Sequence, residues 1–187
     1  TIIMGAGALV SWALRQGLLT PGVRVLLGSV LAAALAGVGL VLRTKGSRQF
    51  GNTLLALALA VVHVVAWGAG PRLGLVPAWV SLLIADAASV ALSILALREG
   101  HEQLFSVGAA GALIAPFVQS SGSEDYVLLA AYGIIVGTAA MRTIAARPWR
   151  TTSSIIVLAV FAYSRTVMAY HGDVIWFTRA LAPGFVL

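Results

Sequence analysis

Apolar runs broken only by isolated charges, glycines or prolines recur along the whole chain, at roughly residues 1 to 14, 22 to 42, 51 to 69, 77 to 97, 103 to 119, 126 to 146, 153 to 170 and 174 to 187. About 20 predominantly apolar residues make a helix long enough to cross the hydrocarbon core of a bilayer. The runs therefore predict an all-α, polytopic transmembrane helical bundle of about six complete spans, with partial helices at both ends. Composition excludes the alternative of a water-soluble fold: 60% of the 187 residues are hydrophobic and 10% charged, and mean hydropathy is +0.98. A soluble domain of this size leaves about a third of its unfolded surface exposed and has no place for so many apolar side chains. The length leaves no room for a soluble domain beside the spans, so residues 1–187 read as one transmembrane region. Opening at Thr1 and stopping inside the apolar stretch Gly184 to Leu187, the sequence is expected to be an excerpt of a longer polytopic protein.

The formal charge is +6, but its basic residues sit singly or in small groups between apolar runs. No basic face interleaved with aromatics tracks phosphates, so nucleic acid is not an expected partner. Membrane lipids and further transmembrane helices, of the same chain or of other subunits, are. Counting Lys and Arg in alternate connections puts Arg43, Lys45 and Arg48, then Arg98, then Arg147 and Arg150 on one side, with Arg142 within snorkelling reach. The other side holds Arg15, Arg24 and Arg72 beside the acids Glu124, Asp125 and Asp173. Positive charge concentrates on the cytoplasmic side of membrane proteins, so the loops near Lys45, Arg98 and Arg150 are expected there. Trp12, Trp67, Trp79, Tyr126, Tyr170 and Trp176 fall at the opposite interface and Trp149 at the inner one.

Residues 103 to 119 form the shortest inner run, with Gly108, Gly111 and Pro116 inside it. Two readings fit: a packing helix kinked by its glycines and proline, or a broken, re-entrant segment of the kind that lines cavities in transporters.

Four patterns carry a family resemblance. Pro21, Gly22, Val23, Arg24 and Val25 with Gly28 form a short Pro-x-x-Arg connection. Gly111, Ala112, Leu113, Ile114, Ala115 and Pro116 are followed by Ser121 and Gly122, Tyr132 stands in the next helix, and Arg147, Pro148, Trp149 and Arg150 close it. In order and spacing this resembles the uncharacterised polytopic bacterial membrane protein family known as domain of unknown function 2339, over most of residues 15 to 150. Ala112 and Leu113 depart from the family's second glycine and aromatic. The resemblance implies a many-helix protein of the bacterial cytoplasmic membrane and supplies no activity.

Charge inside the bilayer points to chemistry or to specific packing. Asp86 lies near the middle of its run, where an ionised carboxylate costs about 2.5–3.5 kcal/mol on insertion scales. Asp86, Ser89 and Ser93 share one helical face by spacing, His63 lies at a similar depth in the preceding run, and Arg165 reaches the same layer or snorkels outward. This polar cluster reads either as a proton or substrate relay in a transporter or channel element, or as a set of mutually satisfied groups that fixes helix register. Gly133 and Gly137 form a Gly-x-x-x-Gly pair, and Ala33 with Gly37 a weaker one, spaced for close helix contact either within the protein or with another subunit. Gly108, Gly111 and Pro116 are further expected packing positions. His101 with Glu102 reads as a solvated turn.

No His-Glu-x-x-His, phosphate-binding loop, nucleophile elbow or cysteine-based metal motif occurs. The expectation is a non-enzymatic structural or accessory component of a larger membrane assembly, with no metal and no cofactor.

Overall fold

A computed structural model of the chain describes residues 20–118 and 126–170. The end runs at 1 to 14 and 174 to 187, and the loop acids Glu124, Asp125 and Asp173, lie outside the described residues. Among those described, the secondary structure is helical throughout: α1 (Pro21–Thr44), α2 (Arg48–Trp67), a π-helical turn (Gly68–Arg72), α3 (Ala78–Glu99), α4 (Glu102–Val118), α5 (Tyr126–Ala145) and α6 (Arg150–Tyr170). Each helix coincides with one of the six inner apolar runs. Pro21–Thr44, Arg48–Arg72 and Ala78–Glu99 are long and apolar enough to cross a membrane, and Glu102–Val118 and Leu129–Ala145 are shorter apolar helices.

The helix boundaries follow from local chemistry. Thr20 caps α1 by accepting from the Val23 amide at 3.4 Å, with Pro21 in the first turn where no donor is needed. Two helices stop at a glycine in the left-handed region. Beyond α1, Gly46 has φ +94° and Ser47 N–H donates to Leu42 O at 2.9 Å; beyond α3, Gly100 has φ +70° and His101 N–H donates to Ala96 O at 2.9 Å. Both are Schellman closures, which return orphan carbonyls to the chain and turn it sharply.

The chain divides into two compact units with the boundary inside α3, the first ending at Ala88 and the second beginning at Ser89. In the first, α1 and α2 form an antiparallel hairpin. Gly28 faces Val65 near one end, and Gly39 faces Gly51 and Leu55 near the other. The α1 side of the seam is Gly28, Ala32, Gly39 and Arg43; the α2 side is Gly51, Leu55, Ala58, Leu59 and Ala66. A Cβ on Gly51 would stand 2.6 Å from the Gly39 carbonyl oxygen, so only glycine permits this crossing. Lipid is as apolar as leucine, so helices in a membrane associate through close backbone approach rather than through burial of oil, and small residues occupy the contact. The large side chains accordingly point away: Leu26, Leu27, Val30, Leu31, Val38 and Val41 are all at least half exposed.

The pair of Ala33 and Gly37 takes no part in this seam. Ala33 and Gly37 are exposed, and nothing lies within 4 Å of a Cβ built on Gly37. The contact uses the neighbouring face, because the residues that meet α2 run from Gly28 through Ala32 to Gly39.

In the second unit α4 is the enclosed element, with Leu104, Phe105, Ser106, Gly108, Ala109, Ala112, Leu113, Ala115 and Pro116 all buried. It is a continuous 17-residue helix, about 25 Å long, with Pro116 in its last turn. Its first residue sits at the start of α6, through Glu102 and Thr152, and its last turn sits beside Tyr163 late in α6, through Phe117. The segment therefore runs the length of its neighbours and does not double back. Antiparallel α5 completes the layer, and Leu113, Leu129, Ala130 and Tyr163 form the common core.

Candidate functional site

The residues of the expected polar cluster lie on α2, α3 and α6. Asp86 is half-buried, Ser89 fully buried and Ser93 half-buried on α3. In the first unit, half-buried His63 has its Nδ1 3.0 Å from the Leu59 carbonyl oxygen one turn back on its own helix. In the second unit, Arg165 is exposed on α6. Ser89 and Ser93 do meet a neighbour: a Cβ on Gly108 would stand 3.0 Å from both the Ser89 carbonyl oxygen and the Ser93 nitrogen. Gly108 thus lets α4 lie directly on the α3 backbone.

A second polar group stands at the end of the second unit where α3 stops and α4 and α6 begin. Trp149 precedes α6 and has no side-chain acceptor to cap it. Glu102, the first residue of α4, supplies the cap, its Oε1 accepting the Thr152 amide N–H at 2.9 Å. Thr152 Oγ1 in turn donates to the Glu102 carbonyl at 3.2 Å and lies 2.7 Å from Ser106 Oγ. Thr152 is fully buried and Ser106 nearly so. A carboxylate at a helix N-terminus gains from both the amide and the macrodipole.

Arg147 serves the complementary end. Its Nη2 donates to the Leu97 carbonyl in the last turn of α3 at 3.1 Å, where a cation offsets the negative end of the helix. The guanidinium also stands over the Trp149 ring, 4.9 Å from its centroid, and Trp149 leans on Phe105 with centroids 5.6 Å apart. His101 Nε2 lies 3.8 Å from Glu99 Oε2 in the α3–α4 turn. Glu102 is therefore a half-buried cap and not part of a solvated turn. The signal in the sequence was the pairing of a lone first-turn glutamate with the hydroxyl-rich start Thr151, Thr152, Ser153, Ser154.

Two tyrosines tie the other end. Pro116 has no N–H, so the Ala112 carbonyl one turn earlier loses its helical donor. The Tyr132 hydroxyl of α5 donates to that oxygen at 2.7 Å. Tyr163 of α6 donates to the Leu129 carbonyl at 2.6 Å and packs edge-on against Phe117, with centroids 4.8 Å apart. The Tyr163 ring passes over Gly133, where any Cβ would collide with it, whereas a Cβ on Gly137 would make ordinary 3.4 Å contact with Val160. The Gly-x-x-x-Gly pair is thus an internal α5–α6 contact whose close approach is at Gly133. Gly111 is half-buried on α4.

Among the described residues, no three His, Cys, Asp or Glu side chains gather as a metal-binding group. The arrangement binds helix to helix through capped ends, a rescued carbonyl and glycine contacts.

No curated protein matches the chain, and no solved structure does. A family model does match, over residues 1–187. With its apolar helices and the run from Gly111 to Pro116 answered by Tyr132, the chain belongs to the family described as predicted membrane protein (DUF2339).

Proposed function

We propose that the chain is a non-enzymatic structural or accessory helical component of a larger membrane protein or complex in the bacterial cytoplasmic membrane. The observation that carries this reading is the use of the polar side chains in the second unit. Glu102, Tyr132, Arg147, Thr152 and Tyr163 each bond to the backbone of another element, and so tie α3, α4, α5 and α6 to one another. Groups spent on caps and carbonyls hold a scaffold in register. The exposed apolar faces offer surface to lipid and to further transmembrane helices, and the charge balance supports loops near Lys45, Arg98 and Arg150 on the cytoplasmic side.

The competing reading is a transporter or channel element that uses Asp86, and it is favoured by the half-buried position of that acid well inside α3. Asp86→Asn beside Gly133→Leu separates the two. For a structural component, Gly133→Leu lowers the amount of intact membrane assembly on native gels while Asp86→Asn leaves it unchanged. Proteoliposomes that dissipate an imposed proton gradient with the unaltered chain, and cease to do so with Asp86→Asn, would move the assignment to the relay.

A further inference from the structure

We infer that the α1–α2 hairpin carries a binding site for the phosphate headgroup of an anionic phospholipid. The turn from Lys45 to Ser47 joins two helices long enough to cross the membrane, so it lies at headgroup depth. Lys45 and Arg48 stand there, both exposed. Beside them the surface forms a shallow, open depression lined by Gly46, Ser47, Arg48, Gln49, Phe50 and Thr53, all of them exposed.

Its chemistry is that of an amphipathic anion. Arg48 supplies a planar cation suited to phosphate oxygens, Ser47 and Gln49 supply neutral donors, and Lys45 adds charge at the rim. Phe50 is 60% exposed next to Arg48 and offers an apolar surface to the glycerol backbone and first acyl carbons. A free anion has no use for Phe50, and a zwitterionic lipid gains little from the surplus positive charge. Basic pockets at the membrane boundary select anionic lipids by this combination.

The test is native mass spectrometry of the intact purified chain in detergent, titrated with phosphatidylglycerol or phosphatidylcholine of matched acyl chains. The unaltered protein is expected to retain phosphatidylglycerol at concentrations about 25-fold lower than phosphatidylcholine, Lys45 and Arg48 each contributing about fivefold near an anionic headgroup. Lys45→Gln with Arg48→Gln should abolish the preference, and Arg72→Gln, which alters an exposed charge elsewhere in the same unit, should keep it. Phe50→Ser, which leaves the charge intact, should weaken retention of phosphatidylglycerol. An unchanged preference in the double variant would overturn the site. So would equal loss in Arg72→Gln, which means bulk charge, or displacement of the lipid by millimolar inorganic phosphate, which means a free-anion site.

Discussion

The hydroxyl of Tyr132 stands 2.7 Å from the carbonyl oxygen of Ala112, the group that Pro116 leaves without its helical donor. A proline inside a membrane helix exposes a carbonyl that water cannot reach, and a neighbouring helix must answer it. Here the answer comes from α5, so the proline and the tyrosine form one device although sixteen residues separate them in the chain.

Tyr132→Phe should lower stability in nanodiscs by about 0.6–2 kcal/mol, the range for an interhelical bond in a membrane. Pro116→Ala restores the N–H that Ala112 lacks. In that background the same substitution should have a smaller effect, and a double-mutant cycle on thermal unfolding reads the difference. Equal losses in both backgrounds would mean that the proline is not the reason for the bond.

Glu102→Ala removes the cap of α6 and should destabilise by about 1–2 kcal/mol. Glu102→Gln keeps an acceptor oxygen in place and should recover most of that loss. If alanine and glutamine behave alike, charge rather than the bond to the Thr152 amide carries the contribution. Thr152→Ala and Ser106→Ala, whose hydroxyls touch, should be non-additive when combined.

Glycine substitutions should separate by contact. Gly133→Ala drives a methyl into the Tyr163 ring, and Gly51→Ala drives one into Arg43 and the Gly39 carbonyl. Each should destabilise by about 1–3 kcal/mol, as overpacking does. Gly37→Ala meets nothing and should be neutral or slightly stabilising, because alanine is the better helix former. Unfolding of the three variants in one detergent provides the comparison.

Orientation is open to direct labelling. Cysteines introduced at Ser47 and at Ser123 should react from opposite faces of the membrane, Ser47 from the cytoplasmic face, on the distribution of Lys and Arg. Labelling from one face only would overturn the topology assigned to the loops between them.

The six inner helices were legible in the sequence because each rests on a local quantity. Apolar length against bilayer thickness places the spans, and Gly46 and Gly100 end α1 and α3 by a backbone conformation that favours glycine. Which face of a helix meets which neighbour is not local. Along α1 small residues line more than one side, and only the approach of α2 chose Gly28, Ala32 and Gly39 over Ala33 and Gly37. Glu102 gave the sequence a charge near a turn; its task became visible when folding brought the start of α6 beside it, fifty residues away. In lipid the apolar surface is satisfied almost anywhere, so hydropathy fixes depth and leaves partner choice open. Backbone groups without a donor, an acceptor or room for a Cβ are satisfied only in one arrangement of neighbours, and that arrangement is what the tertiary structure decided.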